Sequence, residues 1–371
     1  MTDFILGSYL PKLPQRTSLA QTPYLPKDLG WYELKPNYFG FDTYGPLRFA
    51  VATDSYGFRK GVGQKDIAKC DVVFLGDSFT YGINGPWEDT FVGMYESASG
   101  KPVLNTGVPS YSPTAYVHQY RKALSAGLLQ RGHVVVIGLD VSDVQDEAGR
   151  WTDGDSHPRD LDEAKAAFEE ITRRKEEEAN AAQVLLRQRC WRLQGAARDC
   201  LPLTRQLYEF VRYGSSAGGR QLSQQAPPAD EVFSRARSAF THRDWDVLNA
   251  EPAYDSYKGF SPLGVMGGLA RVERKVREII EIARDQQAKV YVLIYPWPAQ
   301  LYYEDKFSWA DHVRTMCGRI SCDGVIDMIQ PFRVLAKRDA EWYQHYYVVG
   351  DIHFNRDGNR IIAEELVKII P

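Results

Sequence analysis

The chain has 371 residues, 44% hydrophobic and 25% charged, the profile of a globular protein large enough for a sizeable core. Lys and Arg number 45 against 48 Asp and Glu, a net charge of −3, which excludes a general electrostatic grip on nucleic acid. No apolar run reaches the roughly 18–20 residues of a membrane span. The opening Met1-Thr2-Asp3-Phe4-Ile5-Leu6 lacks the basic leader and long apolar stretch of a secretory signal, so the given start fits a mature or trimmed form.

Residues 1–60 are rich in Pro, Tyr and Gly and read as an extended arm lying over the main domain, residues 61–371. Asp71-Val72-Val73-Phe74-Leu75-Gly76 is a short continuous apolar run, the mark of a strand buried on both faces. A helix is expected near Trp87–Ala98, then a short strand at Val103-Leu104-Asn105. Ser112-Pro113 offers an N-cap and a first-turn proline for a helix running to about Ala126. His133 to Gly138 is the clearest strand. Residues 150–262 read as a mostly helical insertion, with charge pairs early and a Gly/Ser/Gln/Pro-rich stretch later. The alternating pattern then returns: a helix over Glu273–Gln287, strands at Lys289–Tyr295 and Gly324–Asp327, and a closing helix over Asp357–Ile370. Strands alternating with helices predict an α/β fold, a parallel sheet with helices on both faces.

Five cysteines show no metal-binding spacing. Cys190 and Cys200 bracket one short segment and Cys317 and Cys322 another; each pair could close a small disulfide loop, leaving Cys70 odd and buried. Five unrelated thiols is the other reading. Disulfides would put folding in an oxidising compartment.

The chemistry is concentrated in two places. Gly76-Asp77-Ser78-Phe79-Thr80-Tyr81-Gly82 follows the first buried strand directly. A serine at the carboxyl end of a parallel strand sits where open α/β sheets place ligands. Asp351-Ile352-His353 precedes the last helix. A serine nucleophile needs a base, histidine is suited to it, and a carboxylate must orient the imidazole. Asp and His two residues apart on an extended loop can supply both.

Together these motifs resemble the SGNH (GDSL-type) hydrolase family. The resemblance covers residues 71–145 and 288–370 and implies an SGNH-hydrolase-like, flavodoxin-like fold. It implies Ser78 as nucleophile, His353 as base and Asp351 as the orienting acid. Gly107, in Asn105-Thr106-Gly107-Val108-Pro109, matches the family glycine whose N–H helps stabilise the oxyanion, with the Ser78 N–H as another donor. The third block departs from the pattern: Gly138-Leu139-Asp140-Val141-Ser142-Asp143 has Ser142-Asp143 in the place of Asn-Asp. Ser142 could donate through its shorter hydroxyl, while Asp143 and Asp146 are expected to order the loop.

The lead, Asp28 to Tyr38 and then Asp54 to Arg59, is similar to bacterial SGNH proteins of cell-surface polysaccharide O-acetylation, the alginate type included. That similarity implies an export signal or membrane anchor before the given start and an extracytoplasmic site beside membrane-bound polysaccharide machinery. It also implies a carbohydrate ester as substrate, with no metal or organic cofactor required. Tyr81 and Trp297 could stack on a sugar ring, or pack as ordinary core aromatics. Arg59 is expected to pair with a carboxylate. The expected activity is that of a serine esterase or O-acyltransferase. The competing expectation is a non-catalytic polysaccharide-binding or assembly component, which the Ser142 departure and the large insertion favour and the Ser78, Asp351 and His353 set opposes.

Overall fold

The computed structural model describes residues 23–26, 32–44, 47–150, 260, 263–302 and 307–370. Two short strands, β1 (Tyr24–Pro26) and β2 (Tyr32–Leu34), form an antiparallel ribbon. The remaining strands build one sheet: β3 (Phe39–Tyr44), β4 (Leu47–Thr53), β5 (Arg59–Lys60), β6 (Cys70–Leu75), β7 (Val103–Asn105), β8 (Leu129–Leu139), β9 (Lys289–Ile294) and β10 (Gly324–Asp327). Their order is β10-β9-β8-β6-β7-β5-β4-β3. The pairs from β7 to β10 are all parallel. Taken in chain order, the five parallel strands lie 2-1-3-4-5, the flavodoxin-like arrangement, whose switch point falls between β6 and β8.

The apolar runs explain the sheet's centre. Val72, Val73, Phe74 and Leu75 are all buried, as are Val134 to Ile137 and Val290, Val292, Leu293 and Ile294. Strands covered on both faces need no polar alternation. Beyond β7 the sheet changes direction. β3, β4 and β5 are antiparallel and join through Arg59 opposite Asn105. Part of the segment expected to lie over the domain therefore extends its sheet. The reason is local: Leu47 to Thr53 places Phe49 and Val51 inside and Arg48 outside, a strand alternation that the Pro/Gly-rich composition conceals.

The helices are α1 (Ser78–Tyr81), α2 (Phe91–Ser99), α3 (Pro113–Ser125), α4 (Ser142–Gly149), α5 (Gly264–Asp285), α6 (Pro298–Tyr302), α7 (Trp309–Ile320), α8 (Ile329–Arg338), α9 (Trp342–Tyr346) and α10 (Arg356–Ile369). One face carries α2 packed on α10, and the other carries α3, α4, α5 and α7. The segment expected as one helix near Trp87 is a 3-10 turn, Trp87–Asp89, and then α2. Thr90 separates them, accepting from the Gly93 N–H at 3.0 Å. Ser112 precedes α3 as expected, but it donates its hydroxyl to Glu147 Oε1 at 2.7 Å. Glu147 caps that helix instead, accepting from the Thr114 N–H and hydroxyl at 2.7 Å each. Its Oε2 also lies 3.2 Å from Arg271 Nε, a buried ion pair joining α4 to α5.

Cys317 and Cys322 form a disulfide at the end of α7. Cys70 is a buried free thiol whose pKa is pushed up by burial to about 12. Cys190, Cys200 and nearly all of the 150–262 segment lie outside the described residues.

Candidate active site

β6 delivers Gly76-Asp77-Ser78 to the carboxyl rim of the sheet. Asp77 caps α1, its Oδ1 accepting from the Phe79 N–H at 2.9 Å and from the Tyr295 hydroxyl at 3.1 Å. Ser78 is thereby the first helical residue and stays half-buried. α1 ends at Gly82, whose φ of 79° is costly for any other residue and where a Cβ would meet Thr90 at 2.2 Å. The carbonyls released there are held by Arg59. Its guanidinium donates to the oxygens of Tyr81, Gly82 (2.7 Å) and Gly85 (2.6 Å) and lies over the Tyr81 ring at 4.6 Å. The carboxylate partner expected for Arg59 is replaced by three main-chain acceptors, which suit its forked donors.

The second motif lies on a loop between α9 and α10. Asn355 caps α10 through Asp357 and Gly358, and its amide reaches back to the carbonyls of Gln344, His345 and Tyr347. The Tyr343 hydroxyl accepts from the N–H groups of Gly350 and Asp351, each at 2.9 Å, and donates to the Asp351 carbonyl at 2.8 Å. These ties fix the loop from beneath.

The two motifs meet. Ser78 Oγ lies 2.7 Å from His353 Nε2, and His353 Nδ1 lies 2.5 Å from Asp351 Oδ1. Asp351 Oδ1 also accepts from the His353 N–H at 2.9 Å. The imidazole is buried, with the Phe79 ring 4.4 Å from it at 37°. Burial pushes the Asp351 pKa up, but the His353 hydrogen bonds and charge, with the Tyr44 hydroxyl, hold it below the ordinary carboxylate value. Tyr44 is the residue that sequence reasoning missed. Its hydroxyl donates to Asp351 Oδ2 at 2.7 Å and lies 3.2 Å from His353 Nδ1. No motif marks it; alternation along Phe39–Tyr44 was the only available signal.

Two of the three expected oxyanion donors, Gly107 and Ser142, are otherwise engaged. The Gly107 N–H donates to Asn105 Oδ1 at 2.9 Å, and Asn105 donates in turn to the Thr80 carbonyl at 2.7 Å. Gly107 is required by this contact, since a Cβ there would come within 2.5 Å of the Tyr81 nitrogen. The Ser142 hydroxyl donates to Asp140 Oδ1 at 2.6 Å. The buried Asp140 carboxylate captures this nearest hydroxyl, and also takes the Trp297 indole N–H at 2.8 Å. Asp143 orders the loop as an acceptor from the Asp140 N–H at 2.9 Å and the Tyr116 hydroxyl at 3.0 Å. Burial, then mutual repulsion with Asp140, pushes the pKa values of Asp77 and Asp143 well up.

The two aromatic candidates for sugar stacking also need correcting. Tyr81 is fully buried with its hydroxyl on Asp42 Oδ2 at 3.0 Å, and Trp297 is buried on Asp140. Each satisfies its polar tip inside the core, leaving no ring face for a ligand. Among the described residues no group of His, Cys, Asp and Glu is arranged to hold a metal ion.

No family model and no curated protein matches the sequence. Among solved structures, the crystal structure of an acetyl xylan esterase, AlAXEase, aligns with 82% of this chain and 100% of its own at 13% identity and a TM-score of 0.39.

Proposed function

We propose that this chain is a serine esterase or O-acyltransferase of the SGNH type, acting on acyl esters of a carbohydrate, O-acetyl esters foremost. One observation carries the reading: a half-buried serine hydroxyl 2.7 Å from an imidazole whose other nitrogen is 2.5 Å from a carboxylate. A lone surface serine is a poor nucleophile; one that can pass its proton to a held, neutral imidazole is activated.

In the proposed cycle Ser78 Oγ attacks the ester carbonyl while His353 Nε2 takes its proton. Asp351 stabilises the imidazolium. The tetrahedral intermediate collapses, the C–O bond to the alcohol breaks, and His353 returns the proton to that leaving oxygen. Water or a sugar hydroxyl then attacks the acyl-Ser78 ester, again losing its proton to His353, which passes it to Ser78 Oγ as the Oγ–acyl bond breaks and Ser78 is released. The scheme uses no metal or organic cofactor. The Ser78 N–H at the first position of α1 is the donor we assign to the oxyanion. Gly107 and Ser142 serve only after releasing Asn105 and Asp140.

The carbohydrate and the polysaccharide machinery come from the resemblance of the sequence motifs and the lead segment. The Cys317–Cys322 disulfide supports an extracytoplasmic site.

The test is intact-protein mass after incubation with p-nitrophenyl acetate, alone and with an acceptor oligosaccharide. We expect an acetyl adduct on Ser78, lost to water or to sugar, and no adduct on Ser78→Ala. Equal turnover by wild type and Ser78→Ala would sink the reading. The engagement of Gly107 and Ser142 favours a second reading, a non-catalytic polysaccharide-binding component. Loss of one oxyanion donor costs about 100- to 1,000-fold elsewhere. The same comparison decides between the two.

A further inference from the structure

Among the described residues β3 is one of the two edge strands of the sheet, separated from β6 by β4, β5 and β7. Its last residue, Tyr44, pairs with Leu47 of β4 where the two strands meet their connection. Alternate residues of a strand share a face. On β3, Asp42 and Tyr44 do so, and both reach the site. Asp42 Oδ2 accepts from the hydroxyls of Tyr81 on α1 at 3.0 Å and of Tyr24 on β1 at 2.9 Å. Tyr44 reaches the Asp351 carboxylate from the same face. The strand is thus tied at one point to the helix that begins with Ser78 and at the next to the acid on the opposing loop.

The Asp351 contacts divide between its two oxygens. Oδ1 holds the His353 imidazole and N–H, and Oδ2 takes the Tyr44 hydroxyl at 2.7 Å. A carboxylate held only through Oδ1 can turn about its terminal torsion, which has broad minima. One held at both oxygens cannot turn without breaking a hydrogen bond to a charged group. The Tyr44 ring also meets the imidazole edge-on, centroids 5.2 Å apart at 86°, while Phe79 lies closer to parallel with it.

We propose that Tyr44 is a positioning residue for the reaction: its hydroxyl locks the Asp351 carboxylate so that Oδ1 stays on His353 Nδ1, making the N-terminal hairpin part of the active site. This rests on the esterase reading above. Tyr44 acts through Asp351 and touches neither substrate nor nucleophile in the scheme. Burial and then the Asp351 charge push the Tyr44 phenol well above its ordinary pKa, so it stays protonated and serves only as a donor. The other titratable groups facing the pair are Tyr343 beneath the Asp351 loop, Ser78 on Nε2, and Asp140, whose charge acts on His353.

The test uses the full chain as wild type, Tyr44→Phe and Ser78→Ala, with kcat and KM for p-nitrophenyl acetate measured from pH 5 to 9. Phenylalanine keeps the ring contact and removes only the hydroxyl. We expect kcat to fall about tenfold, the scale of one hydrogen bond to a charged group, with KM within about twofold. Without its donor, Asp351 holds the imidazolium more strongly, so the acidic limb should move about half a unit to higher pH. The His353 ring-proton resonance, titrated by NMR without substrate, should move the same way. Tyr44→Leu, which removes ring and hydroxyl together, should lose at least as much kcat with the same direction of limb shift, and it supplies the comparison should Tyr44→Phe fail to fold. A Tyr44→Phe enzyme with wild-type kcat, limb and resonance, in a background where Ser78→Ala is dead, would overturn the positioning role alone. Wild-type turnover that does not depend on Ser78 would overturn the esterase reading, and the positioning role with it.

Discussion

Replacing Arg59 with methionine removes the group that closes the turn behind Ser78. The stem of methionine can still pack on Tyr81 and Phe49, whose rings lie 4.6 and 5.5 Å from the guanidinium. What is lost is the set of bonds to the carbonyls of Tyr81, Gly82 and Gly85. A hydrogen bond to a charged group contributes about 1.5–3 kcal/mol, so the gross loss is on the order of 5–9 kcal/mol. Against this stands relief from holding a buried cation, which is worth several kcal/mol. The net expectation is a destabilisation of about 3–5 kcal/mol, in line with breaking other buried charged contacts. Chemical denaturation followed by circular dichroism measures it as a fall in midpoint with little change in slope. Arg59→Lys keeps the charge but not the fork, and should fall between the two. Because the carbonyls belong to the turn ending α1, ester turnover should drop in the folded Arg59→Met protein as well. A variant within about 1 kcal/mol of wild type would refute the reasoning, since three buried carbonyls cannot lose their donors so cheaply.

Two further outcomes are expected. His133 is buried, with Nδ1 2.6 Å from the Gln130 carbonyl and Nε2 2.8 Å from the Tyr120 hydroxyl, and burial lowers its pKa. The unfolded chain therefore binds the proton first. Stability is full above about pH 6.5 and is lost as pH falls towards the folded value; His312, also lowered by burial, adds to it with the same sign. The drop in melting temperature from pH 7 to pH 5 should shrink in His133→Gln, and an unchanged drop would remove His133 from the account. Glu147→Ala should destabilise by about 3–5 kcal/mol, because it removes the charge that faces the buried Arg271 Nε and unties the start of α3. A loss under about 1 kcal/mol in thermal unfolding would refute that.

The buried parallel strands were legible because a strand covered on both faces must be apolar throughout, and Val72 to Leu75 and Val134 to Ile137 are. α10 was legible from its amphipathic repeat. The strands β3 to β5 were not, because prolines and glycines around them mask short alternations. The short aromatic helix α9 carries too few turns to show a period. Trp297 and Tyr81 illustrate a different limit: sequence places them beside the site, but only packing reveals that their polar tips are taken by Asp140 and Asp42.

The amino-acid order by itself determined which hydroxyl, imidazole and carboxylate stand at strand and helix ends, since local turn and strand chemistry is written in adjacent residues. Tertiary structure alone decided which donors remain free around Ser78 and that a tyrosine from the sheet's far edge reaches Asp351. Such contacts join residues hundreds of positions apart, and they depend on how the sheet closes, which no local pattern encodes.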